Sequence, residues 1–220
     1  MIKLFARVQP GYYPGYSTLD QKMFWDETTR DLILKRVYEV PPIRFFTETE
    51  AKTMQSVLGR ILPQEDRIES RRISLLNYID ERLYSKRGEG YRYEDMPEDD
   101  EAHRLGIRAI EIMSTDRYGR CFTELSSLDQ DTVLKSIHDG QPFSAQSIWN
   151  VMSVQHYWSL LLRDAVAAYY AHPWAWDEIG FGGPAYPRGY MRTTGGEREP
   201  WEVNEKRYEW SSQPDSLSDF

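Results

Sequence analysis

Four histidines, one cysteine and two knots of carboxylates are the side chains of this 220-residue sequence with the plainest chemical capacity. The histidines are His103, His138, His156 and His172. A zinc site borne on helices needs paired ligands, as in H-E-x-x-H, and no such pair is present. His156 is read as making a buried hydrogen bond. His172, just before Pro173, is read as a cation at a helix C-terminus, where positive charge meets the negative end of the dipole. Asp99-Asp100-Glu101 are adjacent, and Asp129 and Asp131 flank Gln130. Both sets fall at expected helix N-termini, where acids answer the positive end of the dipole, and neither has a histidine close by in sequence. Cys121 is expected as a small buried residue, and a single cysteine excludes an intrachain disulfide framework. Gly180-Phe181-Gly182-Gly183 has the look of a phosphate loop, but Pro184 follows where free amides would have to open a helix. There is no G-x-S-x-G elbow and no P-loop, and no G-x-G-x-x-G stands between a strand and a helix. No catalytic, cofactor-binding or metal residue is therefore assigned. The catalytic alternative is a site assembled only in three dimensions, around His156, Asp164 and Tyr169.

The elements that would position these groups read as all-α. Leu32, Ile33, Val37 and Tyr38 recur at helical spacing over 26–40, and Pro41-Pro42 end that helix. Thr47 with Glu50 is a capping box, with Phe46 placed as a hydrophobic staple, and Met54, Val57, Leu58, Ile61 and Leu62 form the buried stripe that follows. Further helices are expected over 70–85 (Ile73, Leu76, Ile79 and Leu83 inward), 98–113 (Leu105, Ala109, Ile112 and Met113) and 128–139 (Val133, Leu134 and Ile137), the last stopped by Gly140. The longest is expected over 145–172, carrying Ile148, Met152, Trp158, Leu161, Leu162, Ala165 and Tyr169 and closed by Pro173. Nothing alternates apolar and polar residues between turn signals, so no sheet is expected. The charged segment 86–100 reads as an exposed loop.

Composition points to a protein that binds another. The net charge of −8 and pI near 5.1 disfavour nucleic acid. The apolar-rich stretch 153–171 carries Gln155, His156, Arg163 and Asp164, a poor membrane span. No secretory h-region and no twin-arginine pair lies near Met1, so a cytoplasmic protein is expected. The 15 Tyr, 8 Phe and 7 Trp are many, and a large share lies where Pro and Gly break the chain. Tyr12, Tyr13 and Tyr16 sit among Pro10, Gly11, Pro14 and Gly15. Trp174, Trp176, Phe181, Tyr186 and Tyr190 sit in a Gly/Pro/aromatic loop after the last long helix. Trp201, Tyr208 and Trp210 punctuate a polar tail. Rings bury much area at low entropic cost, so these eleven residues are the candidate partner-binding set. The organisation expected is an N-terminal arm and short helix over 1–44, a small irregular helical bundle over 45–190, and an aromatic-bearing C-terminal arm over 191–220. The alternative within a binding role is a scaffold that self-assembles through its arms.

Phe45-Phe46-Thr47 with Glu50 and the helix ending at Ile61-Leu62-Pro63; Tyr78-Ile79-Asp80; Phe122 and Leu125 leading into Gln130 and Leu134; and His172-Pro173, Ile179-Gly180, Gly182-Gly183-Pro184 and Gly189-Tyr190 form one series along the chain. Together these motifs resemble the gluconate 2-dehydrogenase subunit 3 family. The likeness spans about residues 45–190. It implies a small helical subunit that supports the folding, stability or export of a large FAD-containing oxidoreductase of the glucose-methanol-choline class, acting on a sugar or polyol. FAD is then expected in the partner and none in this chain. Such subunits typically carry a twin-arginine signal; with none seen here, the expectation is a cytoplasmic complex.

Overall fold

The computed structural model describes residues 16–88 and 90–184, and among them the chain is all-α. The helices are α1 (Glu27–Tyr38), α2 (Glu48–Ile61), α3 (Leu75–Tyr84), α4 (Asp99–Tyr118), α5 (Ser127–His138), α6 (Gln146–Trp149), α7 (Val154–Tyr170) and α8 (Pro173–Ile179), with 3-10 turns at Thr18–Phe24, Glu69–Arg71 and Phe122–Glu124. No helix among the described residues is long and apolar enough to cross a membrane. The chain divides into two compact units.

The larger unit comprises residues 40–63 and 74–168. Its centre is α2, which packs against α3, α4 and α5. The capping box forms as its spacing predicts: Thr47 Oγ1 accepts the Glu50 amide, and Glu50 Oε2 accepts the Thr47 amide at 2.8 Å. Such a cap is worth about 1 kcal/mol. It sets the phase in which Met54, Val57 and Leu58 are fully buried, at ~2 kcal/mol for each large side chain. Asp26 and Ser126 cap α1 and α5 by accepting the Thr29 and Asp129 amides, and Gly140 follows the end of α5. Asp99, Asp100 and Glu101 occupy the first turn of α4, as their charge requires. Gly106 lies mid-helix because the Tyr157 ring of α7 rests on α4 there. A Cβ at Gly106 would stand 1.9 Å from Tyr157 Cζ.

The helix expected over 145–172 is interrupted. Its first turn is the separate α6, entered through Ala145 in the left-handed region (φ 63°). The chain then turns so that Met152 enters the core and the Ser153 amide donates to Asp95 O at 3.1 Å instead of to a helix carbonyl. Within α7, Tyr157, Leu160, Leu161, Ala165 and Ala168 face inward, while Leu162 is 38% exposed and Trp158 is half-buried. The helix expected from 70 begins at Leu75, after the Glu69–Arg71 turn. Cys121 is exposed, contrary to the sequence reading: Phe122 takes the buried position beside it.

The smaller unit gathers residues 16–39, 64–73 and 169–184 among those described. Trp25, Ile33 and Trp176 form its buried cluster, with Leu19 packed against it. Of the apolar stripe expected on α1 only Ile33 is buried, whereas Leu32 and Tyr38 are exposed. Within the N-terminal arm expected over 1–44, a 3-10 turn at Thr18–Phe24 precedes α1. The loop expected after Pro173 opens with α8. Proline is at home in the first turn of a helix, where its missing N–H would have no partner, so His172-Pro173 is a start as well as a stop.

Candidate functional site

The His-Pro to Gly-Gly-Pro segment is the most specific part of the sequence, and α8 gives it a structure in the smaller unit. His172 caps α8: its Nδ1 accepts the Trp174 amide at 3.2 Å. The ring is 3% exposed. Burial, helped by the charges of Arg67, Arg36 and Arg71, lowers its pKa to about 4. His172 is therefore a neutral acceptor at a helix N-terminus, which corrects the imidazolium expected at the end of the preceding helix. Gly180, left-handed, closes α8. Gly180 to Gly183 thus begin at the carbonyl end of a helix, the wrong end for an anion.

This turn holds the N-terminal segment. The Thr18 amide donates to Asp177 Oδ1 at 2.6 Å, Thr18 Oγ1 donates to Phe181 O at 2.8 Å, and Tyr16 Oη donates to the same carbonyl at 3.2 Å. Burial raises the pKa of Asp177, against the pull of the Thr18 hydrogen bonds. Gly183 (φ 80°) lies against both Thr18 and Trp25; a Cβ would stand 2.9 Å from Thr18 Cγ2 and from Trp25 Cζ2. The motif is a clasp for residues 16–25. Behind it, the fully buried Arg67 pairs with Glu178, donates to Trp174 O at 3.1 Å and reaches Arg71 O. Tyr169 Oη donates to Glu178 at 2.8 Å. Burial raises the pKa of Glu178, and Arg67 opposes the rise.

The larger unit uses its buried polar groups in the same way. Asp80, wholly buried, accepts three successive amides, from Arg44 (2.7 Å), Phe45 (3.0 Å) and Phe46 (2.9 Å), and so fixes the turn that enters α2. Asn77 donates to Pro41 O at 2.7 Å. Gln130 donates to Phe122 O at 2.9 Å, and Glu111 accepts from the Phe122 amide and from Thr53 Oγ1. Asp131 is not a first-turn dipole partner: it takes a two-pronged bond from Arg60, at 2.7 Å for each contact. Asp164 is buried, which by itself would raise its pKa, but His103 at 2.8 Å and Arg82 more than offset this and lower it. Arg82 also donates to Asp99 at 2.7 Å.

A cleft of about 510 Å³ opens beside Arg82 and is lined by Lys86, Arg87, Tyr91, Arg92, Glu98 and Asp99 among others. Its three arginines are already answered, Arg82 by Asp99 and Asp164, Arg87 by Glu81, and Arg92 by Glu98. The described residues contain no group of three His, Cys, Asp or Glu able to hold a metal ion.

The grouping of His156, Asp164 and Tyr169 does not form. His156 bonds Asp95 at 2.8 Å and stacks on Tyr93, Asp164 belongs to His103 and Arg82, and Tyr169 to Glu178. Of the candidate partner-binding rings, Trp176 is 8% exposed and bonds Tyr170 O through its indole N–H, and Trp174 is half-buried under Arg71. Phe181 is 38% exposed, and Tyr16 lies beside it in the clasp. Tyr12, Tyr13, Tyr186, Tyr190, Trp201, Tyr208 and Trp210 lie outside the described residues. The reading of the sequence passed over Arg67, Thr18 and Gly106. Arg67 and Thr18 act across long separations, and only the mid-helix glycine left a local signal.

Fold and site together define an all-α protein whose buried polar side chains fasten its own backbone and whose strongest motif seats one chain segment on another. The chain belongs to the gluconate 2-dehydrogenase subunit 3 family, whose model matches residues 48–183 and so takes in Asp80, Gln130 and the span from His172 to Gly183. Membership points to a subunit of a multi-subunit dehydrogenase, and hence to a heteromer. Comparison with curated proteins and with solved structures returned no match.

Proposed function

We propose that this chain is a non-catalytic small subunit that binds and stabilises a large FAD-dependent oxidoreductase of the glucose-methanol-choline class, acting on a sugar or polyol, in a cytoplasmic complex. The observation that carries the reading is how the buried polar groups of this family member are spent. His103, Asp164, Asp80, His172, Asp177 and Glu178 are each bonded to a neighbour in the same chain, several of them to backbone. A catalytic group must in addition reach a substrate atom within about 3 Å. A subunit that binds only the folded flavoprotein stabilises it by mass action.

The test is co-expression of this chain with the large flavoprotein subunit from the same organism. The expected result is a complex that co-elutes with flavin absorbance and a flavoprotein that loses activity on heating faster when expressed alone. A purified chain that oxidises sugar with an artificial electron acceptor, without any flavoprotein, would overturn the non-catalytic reading.

A further inference from the structure

Three buried polar atoms of the larger unit have no hydrogen-bond partner among the described residues: His103 Nδ1, Trp149 Nε1 and Tyr157 Oη. Their residues are 0%, 7% and 0% exposed. Buried polar atoms of folded proteins are paired with protein or with ordered water, because an unpaired one gives up its hydration for nothing. The three side chains are neighbours. The Tyr157 ring of α7 meets His103 of α4 edge-on, with ring centroids 6.3 Å apart, and lies tilted against Trp149 of α6 at 5.9 Å. A Cβ at Gly106 would stand 2.1 Å from Tyr157 Oη, so the hydroxyl rests on α4 itself. His103 is three residues earlier in that helix and shares its face, and α6 also packs on α4.

The bonding capacity of each atom says what can pair with it. His103 Nε2 lies 2.8 Å from Asp164 Oδ2. A carboxylate only accepts, so Nε2 carries a proton, and Nδ1 of the neutral ring is an acceptor. The Trp149 indole N–H only donates. The Tyr157 hydroxyl keeps its proton, because burial and the Asp164 charge raise its pKa, and it can donate or accept. Whatever answers all three must accept at one point and donate at another, in a space bounded by three packed rings. A metal cation cannot accept from the indole. An anion cannot donate to Nδ1, and it would face the Asp164 carboxylate. A water molecule does both, and about three bonds to otherwise unpaired groups is what a buried water makes.

We propose that His103, Trp149 and Tyr157 form the site of one internal water molecule, which accepts from Trp149 Nε1, donates to His103 Nδ1 and bonds the Tyr157 hydroxyl. The water joins α6 to α4 and α7. That joint matters most to α6, which is four residues long, has no side-chain cap and is entered through the left-handed Ala145. It also completes a line of polar contacts that starts at Asp99 in the surface cleft and passes through Arg82 and Asp164 to His103.

The test uses the full-length chain. In a water-selective NMR experiment the assigned Trp149 indole proton is expected to show a cross-peak with the sign of a long-lived bound water. The Trp176 indole, which donates to Tyr170 O, is the control and is expected to show none. Oxygen-17 relaxation dispersion, which is blind to exchanging side-chain hydrogens, is expected to lose amplitude in Tyr157→Phe. The same variant is expected to raise the unfolding equilibrium constant by about 2- to 10-fold, the effect of losing one net hydrogen bond. Removing a hydroxyl that has no partner would instead leave stability unchanged or raise it. A wild-type Trp149 indole without a water cross-peak overturns the proposal, whatever the variant does. So does a Tyr157→Phe protein that is as stable as the wild type and has the same dispersion amplitude.

Discussion

The buried histidine that caps α8 makes the smaller unit sensitive to mild acid, by an amount the structure sets. In the folded protein His172 has a pKa of about 4, against about 6.5 for an unperturbed imidazole. Above pH 6.5 it is neutral in both states and its contribution is complete. As pH falls below 6.5 the unfolded chain takes up a proton that the folded chain refuses, so stability falls until the folded ring itself titrates near 4. Two-state linkage over these values gives a loss of about 2 kcal/mol between pH 7.5 and pH 5. Asp177 and Glu178 act in the opposite direction, because their pKa values are raised in the fold: as pH falls toward their unfolded values, protonation favours the folded state. The comparison must therefore isolate the imidazole. His172→Asn keeps an N-cap acceptor and removes the titration. Urea unfolding followed by tryptophan fluorescence, at pH 7.5 and 5.0, is expected to show the wild type losing about 2 kcal/mol more than the variant. Equal losses in the two proteins would refute the assignment of His172 as a neutral cap, as would an NMR titration placing this ring near 6.5.

Four further outcomes are expected. Asp80→Ala leaves three amides of the α2 entry turn without their acceptor and is expected to cost about 3 kcal/mol or more in urea unfolding, since each buried donor left unpaired costs about 1–3 kcal/mol. Gly106→Ala drives a methyl into the Tyr157 ring and is expected to lower stability by about 3 kcal/mol or more, with partial recovery in the double variant with Tyr157→Leu. Arg60→Ala, which breaks a half-exposed pair with Asp131, is expected to change stability by less than about 1 kcal/mol. Cys121 is expected to react fully with a thiol reagent such as dithionitrobenzoate in native buffer, which a buried thiol would not.

Local signals were legible and long-range ones were not. The Thr47–Glu50 box, the Gly140 stop and the acids opening α4 act within a turn of their own helix, and each stands where its spacing puts it. The Tyr78-Ile79-Asp80 motif was visible as a likeness, but its role, three amides from residues 44–46, depends on a partner more than thirty residues away. The break before α7 carries no Pro or Gly to announce it, and it leaves Met152 buried in the core. His172-Pro173 was half legible, since proline ends one helix and begins the next with equal ease and the sequence does not say whether seven residues of helix will follow. For the same reason Trp174 and Trp176, read as loop rings, gained neighbours inside the smaller unit.

The smaller unit is stitched from three stretches far apart in the chain, and Arg67, from the middle stretch, is bonded to residues of the last. Synthesis delivers these pieces in order, so residues 16–39 and 64–73 cannot complete the contacts they make with residues 169–184 until that last stretch has left the ribosome. The larger unit, drawn mostly from one continuous run, meets no such wait. Loop closure across such separations is slow compared with helix formation. A nascent chain halted near residue 165 would expose Trp25 and an unpaired Arg67, and in that window a helper or the eventual partner has most to hold.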